Sequence, residues 1–342
     1  TATHGPWRIR SVEPELSAYL SARLNSDRPV VVANLSRIPG GASRETWKFD
    51  ATWTNDGSSR SAPFVLRKDP PASLVESDRA VEYAFYRAFQ GTDVPVPGMR
   101  WLESDSTHLG APFFIMDRIT VGETNVRNIS EPHYEGSKTM IGRRMFEILG
   151  AIHRFDWRDS AIAEVVAAPT LAGAWEEQVN YWEEMIGRNE ISPQPIARAG
   201  IRWLRSHPPP PAARVGVVHG DYRVGNFLYS QEGIHGVLDW EMAHLGDPIE
   251  DLAWAVHELW HRDLIPRDEC IEVYERASGL RVDADSLHWW DVFNGVKAQG
   301  IWLTGAKSFN DGRSSELILA YAAYALINGT DEAILRSLGR GA

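Results

Sequence analysis

One stretch constrains this chain more than any other: Val215 to Trp254, VGVVHGDYRVGNFLYSQEGIHGVLDWEMAHLGDPIEDLAW. Val215 to Val218 is a short apolar run that reads as a buried strand. It delivers His219-Gly220-Asp221 to a turn, and Asn226 follows five residues after the aspartate. Phe227 to Tyr229 reads as a strand, Gln231-Glu232-Gly233 as a turn and Ile234 to Leu238 as the returning strand. Asp239 comes directly after it. That topology puts Asn226 and Asp239 together at the open end of one hairpin. A carboxylate beside an amide oxygen, with a second carboxylate on the neighbouring loop, suits a hard cation such as Mg2+. It leaves Asp221 to accept a proton from a hydroxyl. The plainer alternative is that His219 and Asp221 only satisfy buried backbone groups in a turn.

HGD alone is a weak signal. HGDxxxxN, a hydrophobic strand ending in DWE and then GDPxxDLAW, in one ordered run, resembles the aminoglycoside phosphotransferase (choline kinase-like) family. The resemblance is greatest to the branch that occurs as a kinase-like domain fused to some acyl-CoA dehydrogenases. It implies Asp221 as catalytic base with Asn226 and Asp239 as Mg2+ ligands, the division of labour found in protein kinases. Asp247 and Asp251 are expected to bind backbone amides and orient the catalytic loop.

The preceding residues can be read beside this resemblance. Residues 8 to 25 carry apolar residues at helical spacing. Val30 to Leu35 and Thr46 to Trp53 read as strands, with Pro39-Gly40-Gly41-Ala42-Ser43 between them. A glycine-bearing turn permits close backbone approach to phosphates, and Gly41 and Ser43 resemble the family's GGxSxxT loop. Asn55-Asp56-Gly57-Ser58 is a hairpin turn. The third strand, Pro63 to Arg67, ends where kinases place a basic residue for the nucleotide phosphates. Alternation puts Arg67 on the face of Val65 and Lys68 on the other, and Arg67 is the expected phosphate contact. Ser77 to Gln90 reads as a helix whose Glu82 sits at the edge of the apolar stripe. The resemblance implies that Glu82 pairs with Arg67. Phe113 to Met116 is an apolar strand leading into the hinge of a two-lobe kinase, where backbone near Met116 would meet the adenine edge.

Beyond the hinge, Thr139 to Phe155 and Trp175 to Ile186 show helical apolar spacing. The second of these lies where relatives vary the acceptor pocket, so substrate contact there is a minor alternative to core packing. His153 reads as structural, and Lys297 is given no role. Leu317 to Ile327, the longest apolar run, is too short to span a bilayer and reads as a buried helix.

A chain of 342 residues is long for a single core and suggests two lobes. A net charge of −11 argues against a general nucleic-acid or anionic-membrane partner, which would need a basic face, and leaves room for a local basic pocket. Cys270 is the sole cysteine, so no intrachain disulfide can form. With no signal-like apolar segment at the N-terminus, a cytoplasmic protein is expected.

The expectation is therefore an α+β, two-lobe protein kinase-like fold. A small antiparallel-sheet N-lobe (1–116) precedes a larger, mainly helical C-lobe (117–342). The expected reaction transfers the γ-phosphoryl group of ATP, with Mg2+, to a small-molecule hydroxyl. The acceptor classes are a hydroxyacyl-CoA-like metabolite and an aminoglycoside-type antibiotic. A metal-dependent hydrolase using His219, Asp221, Asp239 and His235 or His244 is the alternative enzyme. An inactive nucleotide-binding module is the non-enzymatic one.

Overall fold

The computed structural model describes residues 12–38, 45–69, 79–314 and 316–339. Chain contacts divide the molecule into two units, Thr1–Ser73 with Met99–Arg118 and Leu74–Gly98 with Ile119–Ala342.

The first unit is an antiparallel sheet with one flanking helix. Helix α1 (Glu13–Arg23) turns Leu16, Tyr19 and Leu20 into the core. Strands β1 (Val31–Arg37), β2 (Glu45–Asn55) and β3 (Ser58–Lys68) follow. A two-residue turn joins β2 to β3, with Asn55 opposite Ser58. Both central residues, Asp56 and Gly57, have positive φ, which is what a type I′ hairpin of right-twisted strands requires. After helix α2 (Arg79–Ala88), β4 (Met99–Glu103) and β5 (Phe113–Asp117) complete the order β1-β2-β3-β5-β4. Phe49, Phe64, Leu66, Phe113 and Ile115 pack with α1 into one apolar cluster.

Helix α2 groups with the second unit, whereas a single boundary after residue 116 would put it with the sheet. The cause is aromatic packing: Phe85, Tyr86 and the adjacent Phe89 lie against Trp240.

The second unit is mainly helical. Its elements are α3 (Lys138–Arg154), α4 (Ile162–Val165), α5 (Ala174–Asn189), α6 (Pro195–Ser206), β6 (Gly216–Val218), β7 (Phe227–Ser230), β8 (Gly233–Val237) and β9 (His244–Gly246). They are followed by α7 (Ile249–Val256), α8 (Arg267–Ser278), α9 (Ala284–Asn310), α10 (Leu317–Tyr321) and α11 (Ile327–Gly339). The 27-residue α9 is buried along most of its length, and α5, α6, α7 and α11 pack around it. Small residues allow the close approach: an added Cβ at Gly300 would meet the Trp182 ring at 2.6 Å, and one at Gly295 would meet Ile334 at 2.7 Å.

The Leu317 to Ile327 segment corrects an expectation. It is helical, but Leu319 and Ala322 face inward while Leu317, Ile318, Tyr321 and Tyr324 are exposed. A run that is apolar on every side carries no stripe from which the buried face can be read. Among the described residues no helix is long and apolar enough to cross a membrane.

Candidate functional site

The hairpin expected from sequence forms, and it brings the candidate residues of the second unit together. Phe227 pairs with Val237 across β7 and β8. Just beyond, the Leu238 N–H donates to the Asn226 carbonyl at 2.8 Å. Asp239 then leaves the strand in the left-handed region, with φ 68°, which an aspartate tolerates better than most residues. Its N–H donates to the Tyr86 hydroxyl at 2.8 Å, so α2 fixes the chain at the point where this carboxylate emerges.

Asp221 sits at the centre of the arrangement. Asn226 Nδ2 donates to Asp221 Oδ2 at 2.7 Å and to the Asp221 carbonyl at 2.8 Å. Asp221 Oδ1 accepts from Arg223 Nε at 2.8 Å and from the Trp254 indole N–H at 2.9 Å. Sequence reasoning missed both of the latter partners. Arg223 lies two residues from the aspartate but carried no separate signal. Trp254 is 33 residues away and, though it ends the GDPxxDLAW motif, was given no role of its own.

The turn holding Asp221 is itself held from α7. Asp251 accepts the His219 N–H at 2.6 Å and the Gly220 N–H at 2.9 Å. Gly220 has φ 85°, and a Cβ there would lie 2.4 Å from the Met242 carbonyl oxygen, so no other residue fits without displacing backbone. His153 lies 3.3 Å from Asp251 through Nε2 and 2.8 Å from the Tyr274 hydroxyl through Nδ1. Burial alone would raise the Asp251 pKa. The His153 hydrogen bond and the charge around it outweigh burial and bring the carboxyl to about 2. Asp247 caps the start of α7 by accepting the Ile249 N–H at 3.0 Å. Burial raises its pKa.

His219 is not a metal ligand in waiting. Its Nε2 donates to the Leu238 carbonyl at 2.9 Å, and its Nδ1 accepts the Asp221 N–H at 3.2 Å. That pair of bonds requires the neutral ring, and burial does lower its pKa. His235 is bonded to Ser230 and His244 to Glu250. Among the described residues, no three His, Cys, Asp or Glu side chains converge as a metal cage.

A pocket of about 380 Å³ opens beside this turn, lined by Val81, Tyr181, Trp182, Glu241, His244 and Lys297 among others. Lys297 is buried and bonded to Glu250 Oε1 at 2.8 Å, while His244 meets Glu250 Oε2 at 3.1 Å. Lys297, given no role from sequence, is thus half of a buried ion pair. Burial works against the charge of His244, but Glu250 outweighs it and raises its pKa.

In the first unit, Arg67 is buried near the end of β3, opposite Thr46 and Phe114. Its neighbour Lys68 forms an ion pair with Glu45 at 3.2 Å. Met116 is buried and pairs with Val65 and Met99, and the Arg118 N–H donates to the Pro63 carbonyl at 3.1 Å. Glu82, on α2, has a buried partner one turn away that was not anticipated: Arg79 Nη1 at 2.7 Å. Gly41 and Ser43 lie outside the described residues.

Residues 34–290 match the model of a phosphotransferase enzyme family. The chain is 32% identical over 196 residues to mouse (Mus musculus) acyl-CoA dehydrogenase family member 10, covering 56% of this chain and 18% of that protein. It therefore spans less than a fifth of that relative's length. A crystal structure from Ralstonia eutropha, described only provisionally as an aminoglycoside phosphotransferase, superposes with TM-score 0.71 at 22% identity. That match covers 95% of this chain and 98% of the other. Aminoglycoside phosphotransferase APH(4)-Ia, in ternary complex with ADP and hygromycin B, superposes with TM-score 0.62 at 16% identity, covering 94% of this chain and 98% of that one. These structures share the α+β kinase-like fold expected from the sequence.

Proposed function

The chain belongs to the phosphotransferase enzyme family, and on that premise we propose that it is an ATP-dependent kinase acting on a hydroxyl of a small molecule. The observation that carries the reading is the 2.7 Å bond from Asn226 Nδ2 to Asp221 Oδ2, made at the hairpin end that also delivers Asp239.

The residues fit a magnesium ion. With its amide N–H₂ committed to Asp221, Asn226 turns its side-chain oxygen away from that bond, and this oxygen accepts no hydrogen bond among the described residues. One amide oxygen and one carboxylate are the usual protein share of an Mg2+ site, phosphates and water supplying the rest. Asn226 and Asp239 would hold the ion, which neutralises phosphate charge when bound. A zinc hydrolase would need imidazoles free to converge, and His219, His235 and His244 are each bonded elsewhere.

Asp221 is the proposed base. Two donors occupy Oδ1, whereas Oδ2 has one donor and a lone pair left, so Oδ2 is the oxygen that receives the acceptor hydroxyl. Arg67, which register places on the face of β3 opposite to the Lys68–Glu45 pair, is assigned to the nucleotide phosphates. Gly41 and Ser43 are assigned to a phosphate loop and backbone near Met116 to the adenine edge. Catalysis of this kind is mostly positioning and electrostatics.

The pocket beside Gly220 is the proposed acceptor site. Its walls are largely apolar, and among the described lining residues the buried cation Lys297 is paired with Glu250 and Glu241 is the sole carboxylate. A polycationic antibiotic needs several carboxylates to replace its hydration. The pocket better suits a hydroxy metabolite with an apolar body, of the hydroxyacyl thioester kind. Incubation with ATP and Mg2+ against hydroxyacyl thioesters, simple hydroxy acids and aminoglycosides, with phosphorylated products read by mass spectrometry, tests this. Product from the thioesters or hydroxy acids supports it. Product only from aminoglycosides overturns the acceptor assignment, and hydrolysis with no phosphorylated acceptor overturns the kinase.

A further inference from the structure

Trp254 is buried on α7, yet its indole N–H reaches the Asp221 carboxylate at 2.9 Å. The ring is fixed on its face as well as its edge. Lys297 Nζ stands 4.9 Å from the ring centroid, held by its bond to Glu250 Oε1, and Trp260 packs at 5.0 Å between centroids. Asn294 of α9 donates to the Glu250 carbonyl at 3.0 Å and ties this part of α7 down. A buried Lys–Glu pair is weak evidence for stability, since desolvation offsets most of its attraction. Here it places a cation against the one ring that holds the proposed base.

We propose that Trp254 is a positioning residue for Asp221. Its N–H occupies Oδ1 together with Arg223 Nε and so leaves Oδ2 as the oxygen that meets the acceptor hydroxyl. The inference rests on the assignment of Asp221 as the base. A base held in one rotamer before the acceptor arrives loses no ordering entropy at the reacting step, and a misplaced one loses rate without losing nucleotide affinity.

The test is a double-mutant cycle. Trp254→Phe keeps an aromatic ring and removes the donor together with one ring of the indole. It is expected to lower kcat about ten-fold, the worth of one charge-assisted hydrogen bond when a second donor remains. KM for ATP and for the acceptor should stay at wild-type values. In the Asp221→Asn background the same substitution should have no further effect on kcat, because the carboxylate it positions is gone. Equal loss in both backgrounds would make the indole a packing residue and overturn the proposal, as would an unchanged kcat for Trp254→Phe. Wild-type turnover by Asp221→Asn alone would overturn the base assignment itself, a different failure read from a different variant. Should Trp254→Phe not fold, site-specific replacement of Trp254 by 3-benzothienylalanine keeps the ring shape, exchanges N–H for sulfur and completes the same cycle.

Discussion

The carboxylate of Asp251 receives the backbone N–H of His219 at 2.6 Å, and its second oxygen receives that of the next residue, Gly220, at 2.9 Å. Both oxygens are needed as acceptors. Asp251→Asn puts an amide nitrogen where one oxygen was and leaves a buried N–H unsatisfied, at a cost of about 2–3 kcal/mol. Urea denaturation should show the lower midpoint with an unchanged m-value, and turnover should fall because the turn carrying Asp221 loosens. An unchanged midpoint would mean that the grip on this turn lies elsewhere.

Two histidines, buried His219 and partly exposed His244, should shape stability on opposite sides of pH 6.5, the ordinary histidine value. Burial lowers the pKa of folded His219. Below pH 6.5 the unfolded chain takes up a proton that the folded one refuses, so this contribution is present above 6.5 and is lost as pH falls. His244 runs the other way. Burial opposes its charge but Glu250 raises its pKa, so its contribution is full below 6.5 and is lost as pH rises through the raised value. Denaturation from pH 5 to 8 should show His219→Gln flattening the acid side of the profile and His244→Gln the side above 6.5. Parallel profiles for both variants would contradict the assignment.

Much of the turn carrying Asp221 was legible because its parts are close in sequence or fixed by strand pairing. A strand, a turn and a returning strand of matched length place Asn226 beside Leu238, and the 2.8 Å backbone bond between them follows from register. The structural work of Asp251 could also be read, from its place in the GDPxxDLAW run that follows Asp239. Trp254, Arg79 and Lys297 were not readable in the same way. An indole in a helix, an arginine a turn before a glutamate and a lysine in a long apolar helix look alike whether they meet solvent, core or a partner. Only the packing of α7 against α9 puts Lys297 on Glu250 and on the face of Trp254. The exposed side of α10 escaped for the opposite reason, since its sequence offered apolar residues in every direction.

The two basic residues at the end of β3 should separate cleanly. Lys68 spans to Glu45 and Arg67 does not share that partner by register, since Arg67 stands opposite Thr46. Arg67→Ala should raise KM for ATP about ten-fold or more, the loss of one charge-assisted phosphate contact, with little change in KM for the acceptor. Arg67→Lys should recover part of it, because an ammonium replaces the charge but not the planar fork. Lys68→Ala removes a partly exposed pair and should be nearly silent. Silence at Arg67 with damage at Lys68 would put the phosphate contact one residue later.

Asp221 and Asp239 are assigned different jobs, base and metal ligand. Calorimetry of ATP·Mg2+ binding to Asp221→Asn and Asp239→Asn, set beside their turnover, tests this most directly. Asp221→Asn should bind ATP·Mg2+ as the wild type does, while kcat falls by roughly 10²–10⁴-fold, the usual worth of a positioned general base. Asp239→Asn should lose the Mg2+-dependent part of nucleotide affinity together with turnover. Equal loss of ATP·Mg2+ binding in the two variants would make Asp221 a metal ligand and contradict the assignment of the base.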